Sequence, residues 1–142
     1  MASKKPSPSM FSVTLAVEDL QKSTAFYRDV LGWPLSKHSV AEHISFFELQ
    51  GAWLALYPKT ALAEDARMGS VPTPGASSAF PCFTLSQKVG SEAEVDAIMK
   101  AVEEAGAVVQ VPAEKKFWGG YSGYFKDADG YLWEIAHIPS FE

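Results

Sequence analysis

A chain of 142 residues fits one domain or two small halves sharing a core, and 47% hydrophobic with 20% charged residues can build that core. A net charge of −5, with no run of Lys or Arg longer than two, argues against nucleic acid or an anionic membrane as partner. The single cysteine, Cys82, excludes an internal disulfide and suits a reducing compartment.

Residues 1–9 are polar, hold two prolines and read as a mobile tail. The first apolar stretch, Met10 to Val17, is broken by Ser12 and Thr14, so neither a secretory signal nor a membrane span is expected. A cytoplasmic location follows by default. Phe11 to Val17 alternates large and small residues, the pattern of a half-buried strand. Asp19 can cap a helix whose one side carries Leu20, Ser23, Thr24, Tyr27, Val30 and Leu31. Gly32 and Pro34 end it. Strands are expected over Leu35–Val40, His43–Leu49 and Trp53–Tyr57, the last stopped by Pro58.

Residues 59–79 turn rich in Ala, Pro, Gly and Ser and read as a linker, with a helical turn or two near Ala61 to Arg67. Phe80 to Ser86 is again strand-like. Ser91 and Glu94 form a capping box ahead of Val95, Ile98, Met99 and Val102, a buried helical stripe closed by Gly106. Ala107–Val111 is a short strand. Trp118–Phe125 and Tyr131–His137 follow as two strands joined by an Asp-Gly turn. The order is βαβββ (10–58), linker (59–79), βαβββ (80–138), with a tail at 139–142. Glu134 sits among large apolar residues, where an unpaired ionised carboxylate costs several kcal/mol.

Two motifs at opposite ends of this doubled order carry a family resemblance. Phe26-Tyr-Arg-Asp-Val-Leu-Gly32 resembles the first-helix signature of the vicinal oxygen chelate superfamily. That superfamily includes glyoxalase I, extradiol dioxygenases, and fosfomycin- and bleomycin-resistance proteins. Asp127-Ala-Asp-Gly-Tyr-Leu-Trp-Glu134 resembles its closing Asp-Pro-Asp-Gly turn and Glu-bearing strand, with Ala128 in place of the proline. The resemblance spans about residues 10–138. It implies an α+β fold in which two βαβββ modules curl into a cup-like mixed sheet, with helices outside and ligand inside.

Strand periodicity sorts the faces of such a sheet. Val13, Leu15, Leu54, Leu56, Phe83 and Leu85 should lie under the helices. The opposite faces then carry Ser12, Thr14 and Ala16; Trp53, Ala55 and Tyr57; Cys82 and Thr84; and Leu132, Glu134 and Ala136. The family's metal enzymes place a ligand on each of four strands. By the resemblance those positions fall at Ser12, Ala55, Cys82 and Glu134, and only Glu134 keeps a usual ligand type. No cofactor is therefore expected, and a divalent metal is disfavoured.

Three roles stand open for Glu134: a vestigial ligand position, a ligand contact, or a general base. Thr14, Trp53, Tyr57, Cys82, Trp118, Tyr121 and Tyr124 are the further ligand-binding candidates. The glycines of Trp118-Gly-Gly-Tyr-Ser-Gly-Tyr suggest a bulge or a close backbone approach to a ligand. The expected function is binding of a small, partly aromatic organic molecule without a catalytic metal, by a homodimer. The alternatives are a glyoxalase-like lyase or isomerase using Glu134, and a non-catalytic scaffold or regulatory subunit.

Overall fold

Two mixed sheets organise the computed structural model of the chain, which describes residues 7–68 and 80–141. Residues 1–6, most of the expected tail, and 69–79 of the expected linker lie outside the described residues. In the first sheet β1 (Ser12–Val17) runs parallel to β3 (Trp53–Pro58), and β2 (Ser45–Glu48) pairs antiparallel with β3. Helix α1 (Leu20–Ala25) starts where the Asp19 carboxylate accepts from the Lys22 N–H at 3.0 Å. It widens into a π-helical turn, Phe26–Val30, in which the Leu31 N–H donates to the Phe26 carbonyl at 3.2 Å. Helix α2 (Lys59–Asp65) follows β3 directly.

The second sheet has the order β4–β7–β6–β5, with β4 (Leu85–Lys88), β5 (Val108–Lys115), β6 (Tyr121–Lys126) and β7 (Leu132–His137). Helix α3 (Glu92–Glu104) lies against it. The capping box forms as expected: Ser91 Oγ accepts from the Glu94 N–H, and Glu94 Oε2 accepts from the Gly90 N–H.

Three expectations need correction. Leu35–Val40 is not a strand; a single bridge joins Val40 to Ile44. Ser39 explains this, because its Oγ accepts the Phe46 N–H at 2.9 Å and so takes a bond a neighbouring strand would have made. The strand expected from Phe80 begins only at Leu85. Cys82 has φ +71, which breaks an extended run, and Phe83 is 42% exposed with its ring against Tyr131 instead of under a helix. Conversely, β5 continues past Pro112 to Lys115. It is an edge strand, so the missing proline N–H costs little, and its register with β6 shifts on both sides of Val111.

One core spans both modules. Leu15, Val17, Phe47 and Leu56 from the first join Val95, Val102, Phe125 and Ile135 from the second. Tyr27 and Trp133 meet at its centre, ring centroids 5.9 Å apart. The Asp127-Ala-Asp-Gly turn clasps α1. Asp129 accepts from the Glu18 N–H at 2.9 Å and from Ser23 Oγ at 3.1 Å. Asp127 accepts from the Tyr27 hydroxyl at 2.6 Å and from the Asp129 and Tyr131 N–H groups. The Tyr27 hydroxyl in turn accepts from Trp133 Nε1 at 2.9 Å. This motif therefore joins the modules as well as turning the chain.

The glycines of the β6 region serve internal packing. Gly119 takes φ +97 in the turn before β6. Gly120 lies beneath the Trp118 ring, and a Cβ there would fall 2.0 Å from it. At Gly123 a Cβ would stand 3.0 Å from the Ala113 nitrogen, the Val111 oxygen and Met99 Cε. Two of those neighbours are backbone at the β5 bulge. Gly123→Ala is expected to destabilise the fold by about 1–3 kcal/mol through overpacking. A urea titration checks this; an unchanged midpoint would show that the bulge yields freely.

Candidate functional site

Hydrogen bonds and close approaches fix which face of each sheet meets a helix. Thr24 of α1 bonds Ser45 at 2.7 Å, and Ser45 pairs with Leu56, so α1 backs the face bearing Leu54 and Leu56. Ser12, Thr14, Trp53, Ala55, Phe46 and Glu48 then share the opposite face. In the second sheet the Tyr121 hydroxyl donates to Asp96 of α3 at 2.6 Å. Tyr121, Gly123 and Phe125 thus face α3, while Ser122 and Tyr124 point away from it.

Glu134 lies on this second, helix-averted face. It is half-buried and pairs across the ladder with Tyr124 on one side and Ser86 on the other. The Tyr124 hydroxyl is held neutral, its pKa raised by burial first, then by the Glu134 charge and a hydrogen bond to that carboxylate. The Lys116 ammonium acts in the opposite sense. Lys116 is itself paired with Glu114 at 2.9 Å. Beside them Ser122, fully buried, has an Oγ with no hydrogen-bond partner. The patch so combines a proton acceptor, a neutral hydroxyl donor, a shared cation and an unmatched hydroxyl.

On the first sheet the helix-averted face is aromatic. Trp53 is flanked by Phe11 at 5.0 Å, Phe46 at 5.8 Å and a stacked His38 at 5.9 Å between ring centroids. Thr14 is exposed beside Ala55, and Ser12 pairs with Trp53. Tyr57 pairs with Ala16 and borders a shallow pocket with α2.

The remaining candidates lie elsewhere. Tyr121 is on the α3 side, contrary to expectation, because β6 starts at Tyr121 and its alternation sets Tyr124, not Tyr121, beside Glu134. Cys82 is exposed in the irregular segment before β4, where its Sγ contacts the Phe80 carbonyl at 3.6 Å. It does not share the strand position expected of it. Trp118 lies over Gly120 in the β5–β6 turn and is 43% exposed.

The four positions at which the resemblance sets a metal do not fit one. Ala55 is a buried methyl, Cys82 stands off the sheet, and Ser12 and Glu134 alone cannot complete a coordination shell. Among the described residues no three His, Cys, Asp or Glu side chains converge. Sequence reasoning missed Lys116, Glu114, Ser122 and Phe46. Lys116 was missed because the strand expected over Ala107–Val111 runs on through Pro112 to Lys115. Phe46 could have been found, since it alternates with Phe47 in a strand whose extent was expected.

Residues 9–135 match the family model of the Glyoxalase/Bleomycin resistance protein/Dioxygenase superfamily. A glyoxalase-related enzyme from Fulvimarina pelagi is 32% identical, with a TM-score of 0.78 over 91% of this chain and 87% of that one. A glyoxalase/bleomycin resistance protein/dioxygenase from Nocardioides is 25% identical, with a TM-score of 0.68 over 95% of this chain and 86% of its own. A lactoylglutathione lyase from Agrobacterium tumefaciens shares the fold at 24% identity, with a TM-score of 0.66 over 94% of this chain and 96% of that one.

Proposed function

Starting from the fact that the chain belongs to the Glyoxalase/Bleomycin resistance protein/Dioxygenase superfamily, we propose that it binds a small, partly aromatic organic molecule on the helix-averted faces of its sheets, without a divalent metal of the family's usual type. One observation carries this reading: a position that resembles a metal ligand site holds the buried methyl of Ala55, while its neighbour Trp53 heads an aromatic group with Phe11, Phe46 and His38. Such a surface recognises flat apolar groups by area and stacking. Tyr124, Glu134 and Thr14 supply polar contacts.

A thermal-shift screen of quinones, aromatic antibiotics and α-keto compounds tests this. A true ligand at 100 times its Kd adds about 2.7 kcal/mol of stability. Trp53→Ala should weaken that ligand at least tenfold, about 1.4 kcal/mol, because it removes the central ring. Equal binding by Trp53→Ala would sink the reading. So would stoichiometric Zn, Ni, Mn or Fe in protein purified without chelator or added metal.

A second reading rests on the Tyr124–Glu134 pair. A carboxylate bonded to a neutral hydroxyl could accept a proton beside a carbonyl while the hydroxyl bonds the oxygen, as in a lyase or isomerase. On any substrate found to turn over, Glu134→Gln should then lower kcat by about 100-fold or more. Turnover at the wild-type rate would exclude Glu134 as the base. The proposal extends to a cytoplasmic homodimer, for which light scattering should give twice the 15.4 kDa chain mass.

A further inference from the structure

The aromatic face of the first sheet also carries a carboxylate. Resting on the reading of that face as a ligand surface, we infer that its ligand is a flat organic cation and that Glu48 selects for the positive charge. Glu48 pairs with Trp53 across the β2–β3 ladder. Directly paired residues put their side chains on one side of a sheet, with Cβ atoms about 4.5–5.5 Å apart. The carboxylate therefore stands beside the indole around which Phe11, Phe46 and His38 gather.

This carboxylate is held in place but not neutralised. Its Oε2 accepts from the Ser36 hydroxyl. Ser36 is itself fixed on β2, where its N–H donates to the Phe46 carbonyl at 2.8 Å. Its Oγ also accepts from the His38 N–H at 3.1 Å, which ties the turn bearing the His38 ring to the same point. Among the described residues no Lys, Arg or His side chain forms an ion pair with Glu48, the nearby and exposed Lys37 included. Glu48 is exposed, so its charge is open to a ligand arriving on the rings.

Rings and carboxylate call for the same chemistry. Aromatic faces attract a cation, tryptophan most strongly. A fixed carboxylate beside them attracts the same charge and repels an anion. The net charge of −5 adds a long-range attraction of the same sign. A neutral aromatic molecule would use the rings and gain nothing from Glu48. The Glu134 face differs, because Lys116 already brings a cation to it.

A purely structural Glu48 would serve only to hold Ser36, and glutamine can accept that hydrogen bond equally well. Glu48→Gln thus removes the charge and keeps the turn. 1-Methylquinolinium and quinoline have nearly the same flat shape and differ chiefly in charge. With the full chain at pH 8 and low salt, both should move the Trp53 side-chain N–H signal in a ¹H–¹⁵N NMR titration, and the cation should bind about fivefold more tightly. Glu48→Gln should weaken the cation about threefold and leave quinoline unchanged. Added salt of about 0.5 M should narrow the wild-type preference, as it does for any exposed charge pair. Equal affinity of the wild-type protein for the two probes would overturn the inference and leave the aromatic surface standing. Unchanged affinity of Glu48→Gln for the cation would overturn the role of Glu48. No movement of Trp53 with either probe at about 10 mM would overturn both the inference and the reading beneath it.

Discussion

Replacing Tyr27 by phenylalanine is expected to lower folding stability by about 2–4 kcal/mol at pH 8. The ring would still fill its place, with no exposure in the native chain. The loss comes from two buried atoms left unmatched, Asp127 Oδ2 and the Trp133 N–H, while Asp127 Oδ1 keeps the Asp129 and Tyr131 N–H groups. The deficit should also depend on pH. Burial is the main cause that pushes Asp127 up to about 6, and the Tyr27 hydroxyl is the first of the hydrogen bonds that restrain it. Unfolded Asp titrates near about 3.9. A carboxyl raised in the folded state stabilises the fold fully below about pH 4 and loses that contribution as pH rises through about 6. For wild-type Asp127 the range is on the order of 3 kcal/mol. Without the phenolic donor the folded value climbs further, so the variant falls further behind between pH 5 and pH 8. Urea titrations at the two pH values measure this. A deficit equal at both, or below about 1 kcal/mol at pH 8, would refute the account.

Trp133→Ala should cost about 3–5 kcal/mol, or roughly 10–17 °C in Tm. The indole is 4% exposed and packs against both Tyr27 and Trp33, which also stack on each other. Its removal opens a cavity where the modules meet and leaves the Tyr27 hydroxyl one partner short. Trp133→Phe separates the lost volume from the lost hydrogen bond. It restores most of the volume but not the N–H, so a loss of only about 1–2 kcal/mol is expected. If both variants lost the same amount, the indole would hold the modules together through its N–H and not through its bulk.

Legibility in the sequence followed the range of the forces involved. Local signals were plain: Asp19 and Ser91 as caps, the Val95–Val102 stripe, and the turn before Tyr131 each depend on neighbours a few residues away. The doubled order was legible for the same reason, and the family followed from two motifs. Errors arose where a distant partner overrode a local preference. Pro112 normally stops a strand, but an edge position excuses it. Leu35–Val40 has strand composition, yet Ser39 diverts the ladder with its side chain. Phe80–Ser86 alternates well enough, but the left-handed backbone at Cys82 leaves only its end extended. At the candidate site Glu134 could be assigned a face by counting along a strand. Lys116 could not, since its approach to Tyr124 depends on how far β5 runs.

The Asp127–Asp129 clasp also bears on the order of folding. Its bonds join residues 100 to 111 positions apart, from Glu18, Ser23 and Tyr27 to the turn between the last two strands. Closing a loop of that length costs about 4 kcal/mol in chain entropy before any contact rewards it. On a ribosome the first module leaves the exit tunnel long before its fastener is made. Helix α1 and the π-helical turn must wait, with the Tyr27 hydroxyl unmatched, until β6 and β7 emerge. Contacts of such high sequence separation slow folding and lengthen the exposure of apolar surface. The clasp is thus a checkpoint on completeness: a nascent chain cut short of residue 127 has every element of its first half and no means of locking them.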